Sequence, residues 1–524
     1  MSESSRAVRV LILNTLAFTV CFSAWMMNGV LATYLVDNGL ERWDKVQLGW
    51  LIGVPVLTGS IARLPVGVLT DKYGGRKVYT LLMLLAAVPM WLVSYAEGYR
   101  EFLLCSLGFG LSGASFAVGI AYTSVWFPKE RQGTALGIFG AGNAGSALTS
   151  LCAPSVLNWL TSDGANLEGW RNLPRIYAGL LFLMAIVFFL FTHERKVEET
   201  QGKTLVQRLA PLNNVRVWRF GLYYFFVFGG FVALAQWLIP YYVSVYEMSL
   251  VTAGVMATIF SLPSGVIRAA GGWLSDRMGA RAVMYWVLCI SVLCCGLLVV
   301  PRMDIQAPGE GVIAAGPGRV TAVSDGSIVL GDKTVVLRRR PADGVNLMND
   351  PHTLILPKFE FWQEPVVREG DTVKRKQLLA RGTTHIYFQA NVWVFTALVF
   401  LVGIAMGIGK AAVYKHIPDY FPKEVGVVGG IVGVIGGLGG FVCPILFGYL
   451  LEKTGIWTTA WMFFTAVAGT CLVWMHVVVR RMMRSRVPEL LSDIEHGARP
   501  ALAAGGASSP IGARGAPTHA GGGA

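Results

Sequence analysis

The chain has 524 residues, 54% hydrophobic and only 14% charged, with 62 glycines and a mean hydropathy of +0.54. So little polar surface excludes a water-soluble domain of this length, bulk disorder and a disulfide-stapled secreted scaffold. A net charge of +13 is compatible with nucleic acid or an anionic membrane face; the apolar content decides for the lipid bilayer and against nucleic acid.

A transmembrane helix needs about 20 largely apolar residues, and twelve such runs follow in order. They are Val8 to Leu35, Val46 to Thr70, Val78 to Tyr95, Phe102 to Trp126, Thr134 to Leu157 and Ile176 to Phe191. Val217 to Val245, Val251 to Leu274, Val283 to Val300, Val392 to Ile417, Val425 to Leu450 and Trp457 to Val479 complete the set. The first run is too long for a signal-peptide core and is expected to be retained. With the N-terminus inside, the inner loops and span flanks hold 20 Lys and Arg and the outer short loops six. The positive-inside rule therefore predicts that both termini are cytoplasmic.

Between runs nine and ten lies a long polar stretch, residues 302–388, on the outer side. Asp325-Gly326 sits there between two alternating segments, a hairpin signal. Val367 to Leu379 resembles the turn of a barrel-sandwich hybrid domain, the fold of biotinyl and lipoyl carriers. The carriers' modified lysine is missing, so no attached cofactor is expected. Residues 487–524 are rich in Ala, Gly and Pro and read as a disordered tail. The eight cysteines fall in apolar runs without metal-ligand spacing, so they read as packing residues and no metal is expected.

The chain repeats itself. Arg63 to Arg76 recurs 205 residues later as Arg268 to Arg281, which maps Gly67 onto Gly272, Asp71 onto Asp276 and Arg76 onto Arg281. Phe127-Pro-Lys-Glu130 recurs 294 residues later as Phe421-Pro-Lys-Glu424. The two shifts differ by about 89 residues, the length of the outer insertion. Two parallel halves of six spans, with a domain spliced into one loop, account for both. The boundaries are 1–192 for the first half, 193–216 for a cytoplasmic linker and 217–301 for spans seven to nine. The insertion is 302–388, spans ten to twelve are 389–486, and the tail is 487–524. The Gly-x-x-x-Asp-Lys-x-Gly-x-Arg loop at Gly67–Arg76, repeated at Gly272–Arg281 with Arg277 in place of the lysine, is similar to the signature loop of the major facilitator superfamily. The resemblance implies that superfamily's all-α polytopic fold, with a small β-rich insertion here. In such a loop, glycines allow close helix approach and Asp and Arg tie helix ends by charge.

Four cations remain within the spans: Arg63, Arg268, Lys410 and Lys415. Lys415 can reach the interface. Arg63 and Arg268 each precede an inner-turn aspartate by eight residues, so they lie about 12 Å deep, and the repeat sets them at one depth, facing each other. No carboxylate shares that depth. A structural ion pair needs an acid; without one, an exchangeable anion is the favoured partner. Arginine's fork suits a flat oxyanion.

Spans five and eleven carry glycine clusters, Gly140, Gly142 and Gly145 in one and Gly436, Gly437 and Gly439 in the other. Close packing alone explains such clusters. They also look like the paired nitrate signatures of the nitrate/nitrite porter family. That resemblance spans about Leu11 to Val479 without the insertion. It implies nitrate clamping by Arg63 and Arg268, a contact from Asn143, and site aromatics at Tyr224 and Phe228, whose spacing also fits an ordinary packing face. Lys410 looks like the subgroup that imports nitrate with protons. A lysine shut away from water holds its proton less tightly, so Lys410 is either a proton carrier or a permanent third cation.

The resulting expectation is a nitrate transporter of a bacterial inner membrane, working by alternating access. Proton-coupled uptake is the first choice and nitrate/nitrite exchange the alternative. A sensor or scaffold whose insertion docks a periplasmic protein partner is the reading from another class. No nucleophile–base pair or phosphate-cradling loop is present, so no enzyme is expected.

Overall fold

The computed structural model describes residues 3–195, 210–300, 303–340, 357–388, 390–421 and 425–486. The expected linker between the halves lies largely outside these, as do the tail and most of the second Phe-Pro-Lys-Glu repeat. Two compact units are distinguished, Met1–Leu472 and Val473–Ala524. The second contributes only the end of helix Thr459–Arg486 among the described residues.

Among the described residues, ten helices are long and apolar enough to cross a membrane, or eleven if the bent pair Leu250–Val266 and Arg268–Met278 counts as one span. They are spans one to four (Ser5–Asp37, Lys45–Tyr73, Gly75–Tyr95 and Tyr99–Trp126), six (Leu167–Phe191) and seven (Val215–Tyr246). Spans nine to twelve are Ala280–Leu297, Val392–Ile417, Val427–Thr454 and Thr459–Met482. The expected count of twelve is thus met only in part. The fifth run forms two helices, Lys129–Gly140 and Gly145–Leu160, joined by a 3-10 turn at Ala141–Ala144. Neither half is long enough alone. Span eight bends by 45° just before Arg268, four residues after Pro263, which withdraws a backbone donor from its helix. Span seven contains a π-turn at Phe225–Gly229, a form common at functional sites.

Polar caps start several spans. Asp44 and Gln47 form a reciprocal capping box at span two. Asn391 accepts from the Trp393 and Val394 amides at span ten. Span seven is 89% buried, whereas spans three, six and nine are each 44% buried. Every third span therefore lies at the periphery and shows apolar side chains such as Leu85, Phe182, Leu183 and Leu293 outward, where lipid is an adequate solvent. All eight cysteines are free; five are buried.

The repeat is visible in the backbone. Gly74 and Gly279, 205 positions apart, both take positive φ, +91° and +82°, at the turns closing the two signature segments. Only glycine adopts that conformation cheaply. Asp276 pairs with Lys415 of span ten at 2.6 Å. Arg76 donates to the Phe189 carbonyl at 2.8 Å, and Arg281 to the Tyr420 hydroxyl at 3.0 Å. Asp276 thus ties two helix ends by charge, and Arg76 and Arg281 each reach a neutral acceptor. Gly67 and Gly272 differ from expectation: a Cβ on either meets no atom within 4 Å. In this conformation they permit no close helix contact.

The close contacts lie toward the opposite end. Gly49 and Gly53 of span two face the Pro444 and Phe441 carbonyls of span eleven, and a Cβ on Gly53 would come 2.7 Å from the latter oxygen. Gly254 of span eight faces the Ser150 carbonyl, and Gly29 of span one lies against Gln236 of span seven. The seam between the halves is tight at the end bearing the insertion and looser at the signature-loop end.

The insertion is β-rich, as its sequence predicts. Its strands are β1 (Met303–Ile313), β2 (Gly318–Ser324), β3 (Ser327–Leu330), β4 (Lys333–Val336), β5 (Lys358–Pro365), β6 (Thr372–Val373) and β7 (Leu378–Phe388). They form two antiparallel sheets, ordered β1-β7-β5 and β4-β3-β2-β6. Asp325-Gly326 turns the β2–β3 hairpin, with Ser324 opposite Ser327. Val320, Ile328, Val367, Val373 and Leu379 fill a shared core.

Candidate functional site: a paired-arginine centre

Arg63 lies in span two, only 4% exposed. Its Nη1 donates to the Gly433 carbonyl of span eleven at 2.7 Å, while Nε and Nη2 have no partner. Glycine at 433 and 437 makes that approach possible: a Cβ would come 3.9 Å and 3.3 Å from Nη1, and at 437 would also strike Ser60. The guanidinium carbon is 5.0 Å from the Phe228 ring, 5.3 Å from Phe116 and 5.8 Å from Trp25. Aromatic faces stabilise a cation without neutralising it.

Arg268 follows the bend of span eight. Its guanidinium carbon is 5.2 Å from the same Phe116 ring and 5.8 Å from Tyr414. Nη1 has no partner. The side chain passes over Gly140, where a Cβ would come 3.3 Å from its Cδ. Phe116 therefore bridges the two arginines, one from each half. Among the described residues neither forms an ion pair. Two cations with unused N–H groups on one ring, Arg63 buried and Arg268 half-buried, present a strong site for an anion.

Tyr224 and Phe228 stack at 5.0 Å with an interplanar angle of 6°, and Tyr414 meets Tyr224 edge-on at 5.0 Å. Tyr224 is fully buried with an unpartnered hydroxyl. Gly436 makes room for its ring. The structure thus gathers Arg63, Arg268, Tyr224 and Phe228 in one place. It adds Phe116, Tyr414 and Ser60, which the sequence does not single out; in a chain that is 11% aromatic, an isolated ring carries no signal. Tyr414 had one available cue, its position one turn after Lys410.

Asn143 is buried in the 3-10 turn of span five. Its Nδ2 donates to the Gly140 carbonyl at 2.9 Å, and its Oδ1 is unpartnered. The amide nitrogen carries two N–H donors and Gly140 takes one, so the second remains for an anion. Gly142 and Gly145 pack on span one, against Phe18 and the Thr19 carbonyl, and Gly439 packs on Gly229; these three serve helix contact. Lys410 is fully buried, its Nζ 3.4 Å from the Phe231 ring centroid and without a hydrogen-bond partner.

The sequence profile described as Major Facilitator Superfamily matches residues 13–315 and 378–509. The gap between them falls inside the insertion. A probable nitrate/nitrite antiporter NarK1 from Thermus thermophilus is 39% identical over 94% of this chain and 96% of its own. The nitrite extrusion protein of Bacillus subtilis is 25% identical over 88% of this chain and 93% of its own. The fold resembles an inward-facing bacterial homologue of the lysosomal transporter Spinster (TM-score 0.59, 14% identity, covering 91% of this chain and 97% of that one). It also resembles the transporter FucP in the outward conformation (TM-score 0.52, 13% identity, 89% and 99% covered). The chain belongs to the Major Facilitator Superfamily, and is a multi-pass membrane transporter rather than an enzyme.

Proposed function

We propose that the protein moves nitrate across a bacterial inner membrane by alternating access, with both termini cytoplasmic and the insertion outside. The observation that carries this is the Arg63–Arg268 pair: two cations from opposite halves share one aromatic wall, with unpartnered N–H groups and, among the described residues, no acid paired to either. Nitrate is flat, singly charged and acceptor-only, which matches two guanidinium forks. The likeness to a nitrate/nitrite antiporter of Thermus and a nitrite extrusion protein of Bacillus supports the substrate class. In this reading the tight seam at the insertion end is the closed outer gate.

Proton-coupled uptake is the preferred mode, because Lys410 is a buried titratable group beside the site. Exchange for nitrite is the second reading, favoured by the antiporter description of the Thermus relative. Purified protein in liposomes separates them: nitrate uptake is followed with an imposed pH gradient, with internal nitrite, or with neither. Stimulation by the gradient alone supports symport, and stimulation by internal nitrite alone supports exchange. No uptake in any arm rejects the transport reading.

We read the insertion as a barrel-sandwich hybrid, supported by its two small sheets over one core, and as an accessory that can dock a periplasmic protein. Its removal is expected to leave uptake in liposomes intact. Loss of uptake from a correctly folded deletion would make it part of the transport machinery.

A further inference from the structure

A second group of buried polar side chains lies on the signature-loop side of the Tyr224–Tyr414 pair, on the same two spans. Arg219 of span seven is only 6% exposed and its Nε is unpartnered. Its guanidinium carbon is 5.1 Å from the Phe220 ring and 5.8 Å from Tyr420. His416 of span ten is 4% exposed and stacks on Phe220 at 5.7 Å, with neither ring nitrogen partnered. The buried Tyr223 hydroxyl, on the same helix four residues after Arg219, is also unpartnered. Arg281 closes the group through its bond to the Tyr420 hydroxyl.

Arg219 Nε, the Tyr223 hydroxyl and the His416 ring can each donate a hydrogen bond, and these atoms are buried without an acceptor. One unsatisfied donor is unremarkable; three on adjoining faces of spans seven and ten form a site that lacks its acceptor. They sit on the side of the Arg63–Arg268 centre that faces the looser end of the seam. We infer that Arg219, Tyr223 and His416 form a second, transient station for a small oxyanion on its path between the central arginines and the signature-loop side. The inference rests on the proposed transport of nitrate. A station of this kind lets the anion leave two strong cations in short steps, each with a donor in hand.

The test uses full-length protein in liposomes of known orientation, with nitrate binding measured separately on the purified protein. Arg219→Gln and His416→Gln are each expected to keep equilibrium nitrate affinity within about twofold. Each should raise KM at the signature-loop face about tenfold, the factor carried by one lost hydrogen bond to a charged group, and leave KM at the opposite face unchanged. Asp419 is the acid nearest to His416 in sequence, so Arg219→Gln is also made with Asp419→Asn. If Arg219 were only the counter-ion of that acid, the double variant would regain the parent's KM; the station predicts that it does not. Parental KM at both faces in either single variant, or recovery in the double, overturns the station while the parent still transports. A parent that neither binds nor moves nitrate overturns the transport reading, and the station with it. His416→Gln carries the same expectation independently if Arg219→Gln does not fold.

Discussion

At the residue scale, the arginine pair makes the sharpest demand. Lysine would keep the charge of Arg63 but lose the fork that bonds Gly433 with one nitrogen and leaves two others free. Arg63→Lys and Arg268→Lys should each weaken nitrate binding by roughly 1.5–3 kcal/mol, one charge-assisted hydrogen bond, and abolish most transport while the protein stays monodisperse. Near-parental uptake by either variant would remove that arginine from the site. Asn143 is a finer case, because one N–H of its amide is engaged by Gly140 and the other is left over. If that second N–H donates to the anion, Asn143→Ala should lower nitrate affinity about tenfold. The accompanying loss of stability should be only about 0.6 kcal/mol, as for an average polar contact between membrane helices. Unchanged affinity with a clear drop in Tm would assign Asn143 to holding the 3-10 turn.

At the element scale, glycine decides where helices touch. A Cβ on Gly53 would come 2.7 Å from the Phe441 carbonyl, closer than packing allows. Gly53→Ala should therefore wedge spans two and eleven apart at the insertion end and favour the conformation open there. A reporter cysteine at Gln236, buried in the same seam, should react faster with an impermeant maleimide in Gly53→Ala than in the parent, once the eight native cysteines are replaced. Equal labelling rates would show that the seam opens elsewhere. These elements also mark how far the sequence could be read. Ten of the twelve apolar runs, the 205-residue repeat and the Asp325-Gly326 hairpin are each written in local pattern and are found in the structure. The break in span five, the π-turn in span seven and the bend before Arg268 are not, because an apolar run looks the same whichever carbonyl its amides choose. Gly67 and Gly272 were misread for a related reason. Glycine serves close approach and positive φ alike, and in this conformation the signature segments use it at Gly74 and Gly279 for the second.

At the scale of the whole molecule, the open question is how nitrate movement is coupled, and the structure concentrates it on Lys410. Its ammonium group rests on Phe231 at 3.4 Å with no carboxylate beside it among the described residues. If Lys410 carries the proton, Lys410→Gln should uncouple nitrate uptake from the pH gradient, since glutamine keeps length and hydrogen bonding but cannot titrate. The substitution also removes a positive charge near Arg268, so nitrate affinity can fall for that reason alone. The informative quantity is thus the response of uptake to a pH step at saturating nitrate, where affinity no longer limits the rate. A strong response in the parent and little in Lys410→Gln supports proton carriage by this lysine. A parent that ignores the pH step but responds to internal nitrite is an exchanger, and Lys410 is then part of the fixed field that holds the anion. Equal pH responses in parent and variant would put the proton on another route, with the two arginines and Lys410 acting only on nitrate.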